Sequence, residues 1–141
     1  MTDIDSPLVR LTALMAEKMD VAVLLTSADL TAPGPHILYV NRAFEHLTGY
    51  TFDEVRGKSP RVLQGEKTSL ATRKRLLMAL RQGERHQATI INYRKSGEPY
   101  HCAIDIAPVK TETGQVVAAL AFSWEVQRRA GRRSKDLTKP L

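Results

Sequence analysis

The hydrophobic period of this 141-residue chain changes once, and that change limits its architecture most. From His86 onward apolar residues alternate with polar ones. The stretches 86–95, 98–109 and 115–127 read as three antiparallel strands, joined by turns at Ser96-Gly97 and Glu112-Thr113-Gly114. A meander of this length has two faces, and what precedes it must cover at least one of them.

What precedes it is shorter and mixed. Residues 1–19 predict a helix, with Ser6 as N-cap and Pro7 at the first helical position. Ile4, Leu8, Leu11 and Met15 recur at spacings of four, three and four, which marks them as its buried seam. Residues 21–26 and 36–40 predict two short strands around a loop rich in proline and glycine. Asn41 can cap a turn carrying Phe44 and Leu47 and ended by Gly49. Thr51 and Glu54 form a capping box for the next turn, closed by Gly57. Residues 69–82 predict a longer helix with Leu70, Leu76, Leu77 and Leu80 apolar, stopped by Gly83. The sum is an α+β fold, with helices on one face of a five-stranded antiparallel sheet.

Composition excludes several classes. No apolar run approaches the roughly 18 residues of a membrane span. The acidic N-terminus does not resemble a signal peptide, so a cytoplasmic location is expected. The single cysteine, Cys102, rules out an internal disulfide and a cysteine-based zinc site, and His36, His46, His86 and His101 lack metal-ligand spacing. Of the net charge of +6, residues 128–141 carry +5, from six cations against Asp136. The body is nearly neutral, and a tail without aromatic residues suits a weak phosphate contact at most, so nucleic acid is not expected as a partner. No paired carboxylates, Cys–His or Ser–His arrangement, or glycine-rich phosphate loop suggests an enzyme.

Three motifs in order give a more specific reading. Residues 39–50, Tyr-Val-Asn-Arg-Ala-Phe-Glu-His-Leu-Thr-Gly-Tyr, are followed by 57–65, Gly-Lys-Ser-Pro-Arg-Val-Leu-Gln-Gly, and then by 92–97, Asn-Tyr-Arg-Lys-Ser-Gly. Together they resemble LOV domains, the blue-light-sensing branch of the PAS superfamily, over about residues 20–127. The resemblance implies the PAS fold, with residues 1–19 as a flanking helix and 128–141 as a basic tail. It also implies a pocket for flavin mononucleotide (FMN) between helices and sheet. In that family arginines hold the phosphate, amides read the ring edge, and a loop cysteine attacks the photoexcited ring.

On that pattern Arg61 matches a phosphate arginine, Gln64 the loop glutamine and Asn92 a ring-edge asparagine. The departures are Ser59 for an asparagine, Pro60 for the reactive cysteine, Leu77 for the second phosphate arginine, Cys102 for the second asparagine and Ser123 for the last strand's glutamine. Bland readings stand beside these. Arg61 is equally a surface arginine, Asn92 suits hairpin geometry, and Cys102 alternates with Ile104 and Ile106 as a small core hydrophobe. Arg73, Lys74, Arg75 and Arg81 read as a solvated helix face that could still supply a phosphate contact. Adduct chemistry is not expected. Two readings of the cofactor stay open, FMN held by weakened contacts or no flavin.

On the last strand Val117, Ala119, Ala121 and Ser123 should face the helices, leaving Leu120, Phe122, Trp124 and Val126 outside. That outer row needs a cover, either the chain's own first helix or a second subunit. The expected function is a stand-alone sensory module acting through dimerisation or a separate signalling partner; the alternative is an adduct-deficient, FMN-binding light or redox sensor.

Overall fold

The fold, taken from a computed structural model, is described for residues 6–29 and 34–127. Its elements are α1 (Pro7–Ala16), β1 (Ala22–Ser27), β2 (Ile37–Val40), α2 (Arg42–Thr48) and α3 (Phe52–Val55). A single 3-10 turn follows at Pro60–Leu63, then α4 (Leu70–Arg81), β3 (His86–Tyr93), β4 (Pro99–Lys110) and β5 (Val116–Glu125). The strands form one antiparallel sheet in the order β2-β1-β5-β4-β3. The last strand therefore sits at the centre, joining the short first pair to the long hairpin, and this is the α+β arrangement expected.

The caps read from sequence are present. Asn41 begins α2, and Gly49 ends it at φ 82°, a backbone region that glycine enters without strain. Thr51 and Glu54 exchange the two bonds of a capping box. Asn41 does more than cap. Its Oδ1 accepts from Phe44 N at 3.0 Å and Val23 N at 2.9 Å, while Nδ2 donates to the carbonyls of Ala16 and Val21 at 2.9 Å each. One buried amide thus ties the end of α1, the start of β1 and the start of α2 together.

The first helix differs from expectation in phase. Ser6 caps it, accepting from Val9 N, and it packs on its own sheet, but through Val9 and Ala16 with Leu8 and Ala13 beside them. Leu11 and Met15, assigned to the seam, are 55% and 69% exposed, and Leu14 is 80% exposed. Small residues at 13 and 16 let the backbone approach the sheet, so the face with less apolar bulk is the one buried. Ile4 lies outside the described residues, as does the basic tail over 128–141. Val23, Leu25, Tyr39, Leu120 and Phe122 complete this outer cluster, so the row on β5 is largely covered within the chain. Two other residues depart. Leu70 is exposed, and so is Val117, beside a register irregularity at Val109/Lys110.

On the other face the segment after the 3-10 turn is pinned to the edge strand β3. Thr68 Oγ1 donates to the Ile91 carbonyl at 2.6 Å, and Tyr93 Oη accepts from Lys67 N at 2.8 Å. A side chain at Gly65 would overlap the Tyr93 ring, so only glycine allows this approach.

Candidate functional site

Between the sheet and the helices lies a cavity of about 130 Å³. One water needs only about 10–15 Å³, so the space is far more than a packing defect. Leu76, Leu77 and Leu80 of α4 wall one side; Ala119 and Ala121 of β5 leave room on the other. Larger side chains at those alanines would fill the space, so β5 contributes to the site by what it omits.

All six residues singled out in the sequence line this cavity: Ser59, Arg61, Gln64, Asn92, Cys102 and Ser123. Pro60 and Leu77 line it too. They divide into two poles. At the exposed pole, Ser59 Oγ accepts from Arg61 N at 3.2 Å and caps the 3-10 turn, with Pro60 as its first residue. That turn was not anticipated, although Ser-Pro is a good N-cap and N1 pair. Arg73 Nη1 donates to Gln64 Oε1 at 3.0 Å, joining α4 to the end of the turn. Arg73 is half-buried on the cavity wall, whereas Lys74, Arg75 and Arg81 of the same cationic cluster face solvent. Its signal was the four-residue spacing to Leu77, which places both on one helix face.

The inner pole is formed by β3, β4 and β5. Asn92 pairs with Tyr100 across β3 and β4, Ile90 with Cys102, and Ile104 with Ser123 across β4 and β5. Burial pushes the Cys102 thiol up to about 11, while neighbouring Ser123, Tyr100 and Asn92 pull it back in part. It is therefore a poor nucleophile near neutral pH. Sequence reasoning passed over Tyr100. Its hydroxyl is buried, and among the described residues it is the one enclosed side-chain oxygen or nitrogen without a hydrogen-bond partner. Burial raises its pKa, so the phenol stays protonated and remains a donor.

Behind the Tyr100 ring the Arg94 guanidinium stacks 4.3 Å from the ring centroid. Arg94 also donates to the Leu47 carbonyl, Glu98 and Glu125, each at 2.7–2.8 Å. It links the inner pole to α2, the hairpin and the end of β5. Among the described residues no group of three or more His, Cys, Asp or Glu side chains is placed to hold a metal ion. None of their helices is long and apolar enough to cross a membrane.

The site is therefore a cavity between one face of a five-stranded sheet and the helices, reached at the Arg61 end, with α1 packed on the sheet's other face. The chain belongs to the PAS domain family, whose sequence pattern matches residues 20–125. It is 39% identical over 100 residues to a blue-light-activated histidine kinase of Brucella anthropi, covering 71% of this chain and 20% of the relative. A second such kinase, from Erythrobacter litoralis, is 41% identical over 88 residues, 62% of this chain and 25% of the relative. The chain thus spans about a fifth to a quarter of these relatives. The LOV domain of the blue-light-activated histidine kinase from Erythrobacter litoralis EL346 superposes with a TM-score of 0.72 at 29% identity, covering 79% of this chain and all of that one. An RNA-binding light-oxygen-voltage receptor superposes with a TM-score of 0.73 at 28% identity, over 89% of this chain and 36% of that one. A light-oxygen-voltage domain studied with a flavin analogue gives 0.71 at 27%, covering 88% and 87%. Fold and family are those expected, a PAS fold with LOV neighbours.

Proposed function

We propose that this chain is a sensory PAS module of LOV type that works without cysteinyl–flavin adduct chemistry and passes its signal on through protein contacts. The observation that carries this reading is the placement of the two critical side chains. Pro60, which has no nucleophile and which the sequence resemblance aligns with the reactive cysteine, lies on the cavity wall, and the chain's single thiol sits on the sheet. Cys102 is 1% exposed, and its pKa is raised rather than lowered. Neither group supports thiolate attack. Two of the relatives are blue-light-activated histidine kinases, and this chain matches only a part of each, which supports a role in input rather than catalysis.

A second reading has the same fold bind FMN as a light or redox sensor without an adduct. Its support is the donor set. Arg61 and Arg73 are cations at the exposed pole, and Gln64 holds Arg73 in place. The inner pole offers Asn92, Ser123 and an unpartnered phenol. Such residues fit an anionic group outside and a polar ring edge inside, with Leu77 and Cys102 as losses relative to the LOV pattern. Bound flavin would supply light absorption and one-electron chemistry; the chain's residues position it and exclude water.

The output surface we assign to α1. Leu11, Leu14 and Met15 form an apolar face outside the outer cluster, and a second copy or a signalling partner would cover it. The absorption spectrum of the purified protein, before and after reconstitution with FMN, separates the readings. A flavin band that stays with the protein after free FMN is removed supports the second, and no retained band leaves the first.

A further inference from the structure

We propose that the cavity binds a small carboxylate whose apolar part is one ring or a chain of about six carbons, with the carboxylate at Arg61 and Arg73 and the apolar part inside. This rests on the first reading, in which no flavin fills the cavity, and names what fills it instead.

Volume sets the size. An apolar cavity of about 150 Å³ takes one benzene, and this one measures about 130 Å³. The walls as they stand therefore hold a body of roughly six carbons. A flavin's three fused rings need about twice that room or more, so they enter only if the helices part from the sheet.

The lining sets the polarity. Leu76, Leu77 and Leu80 stand on one side and Ala119 and Ala121 on the other, and of the described residues lining the cavity only Arg61 and Arg73 are charged. At the inner end the Tyr100 hydroxyl is enclosed and presents no surface to the cavity. Ser123, Tyr100 and Asn92 lie close enough to Cys102 to influence its titration, so these groups answer one another and a ligand's inner end can be apolar.

The mouth calls for an anion. Among the described residues neither arginine forms an ion pair, and Arg73 donates only to the neutral Gln64 amide. Residues 57–65 and 69–83, which carry the two cations, hold no acidic side chain. Arg73 thus keeps N–H groups for a carboxylate, a charge-assisted and often bidentate contact. Arg61 is exposed, so a carboxylate beside it keeps part of its hydration and avoids the cost of full burial.

Amide chemical shifts of the full chain are followed as butanoate, hexanoate, decanoate, phenylacetate and neutral phenylethanol are each added to about 10 mM. A separate sample is mixed with FMN and freed of unbound flavin. Hexanoate and phenylacetate should bind saturably, hexanoate roughly tenfold tighter than butanoate for its extra methylenes. Decanoate should bind no tighter than hexanoate. Phenylethanol should bind about tenfold more weakly than phenylacetate, and Arg73→Gln should remove most of that difference. Ala121→Leu, which fills the cavity, should abolish binding of both, with Ala119→Val as the second filling variant if Ala121→Leu melts early. No saturable binding of hexanoate or phenylacetate by protein that also retains no FMN would overturn the ligand and leave the first reading standing. Affinity that climbs unbroken to decanoate would overturn the size, and equal binding of acid and alcohol would overturn the anion. Retained FMN would overturn the first reading itself, and the proposal with it.

Discussion

Arg73 donates to Gln64 across 3.0 Å, so a helix residue and a loop residue share one guanidinium at the open end of the cavity. The contact makes Arg73 the one cation of its cluster that the cavity can use. Replacing Arg73 by Ala should weaken FMN binding by roughly tenfold to a hundredfold, the effect of one charge-assisted contact. Riboflavin, which lacks the phosphate, should lose little. Titrating both ligands at two salt concentrations checks this, since the FMN-specific part should shrink as salt rises. An equal loss for the two would mean that Arg73 only shapes the loop.

The buried Asn41 amide makes the second expectation. Asn41→Ala removes four bonds at once and leaves the Val23 and Phe44 N–H groups enclosed and unpaired. Urea unfolding should report a loss of about 3 kcal/mol or more. Asn41→Asp keeps the acceptor for those two N–H groups but sets a carboxylate against the carbonyls of Ala16 and Val21. It should therefore rescue little. Full rescue would show that capping alone accounts for the residue.

Much of this was legible beforehand, and the exceptions are informative. The caps at Ser6, Asn41 and Thr51 and the glycine after α2 follow from local chemistry that tertiary contacts do not override. The alternation of Cys102, Ile104 and Ile106 placed one strand face against the helices, and the cavity is there. Helix phase was harder. In α1 the larger residues at 11, 14 and 15 outweigh Ala13 and Ala16 in any count of hydrophobicity, yet close approach favours the small ones. Tyr100 was missed for a related reason. An unpaired hydroxyl is a property of neighbours, and its alternation pattern reads simply as an aromatic core position.

Cys102 supplies a pH signature. Its pKa is raised from the ordinary thiol range to about 11 by burial, so the folded state holds the proton more tightly than the unfolded chain. Stability from this group is complete below the unfolded thiol pKa and is lost as pH rises toward 11. Wild type should lose about 2 kcal/mol more than Cys102→Ala over that window in urea midpoints. Native protein should also resist alkylation at pH 8 and react once unfolded. Rapid labelling of the native thiol would contradict the assignment of Cys102 as inert.

The exposed face of α1 predicts association. Sedimentation should show a concentration-dependent dimer in the micromolar range or a partner-dependent complex, weakened by Leu14→Asp. Because Leu14 is 80% exposed, that change should leave the melting temperature nearly unchanged. A monomer at high micromolar concentration that also survives Leu14→Asp without loss of signalling would place the output surface elsewhere.

The central claim is that this sensory module runs no thiol adduct chemistry, and light itself tests that most directly. Protein saturated with FMN is illuminated with blue light, and the flavin's visible band is followed during exposure and in the dark afterwards. The account predicts that no light-induced, thermally reversing loss of the band depends on a thiol, so wild type and Cys102→Ala should behave alike. A reversible bleach in wild type that disappears in Cys102→Ala would show that the buried thiol reaches the ring, and would contradict the account.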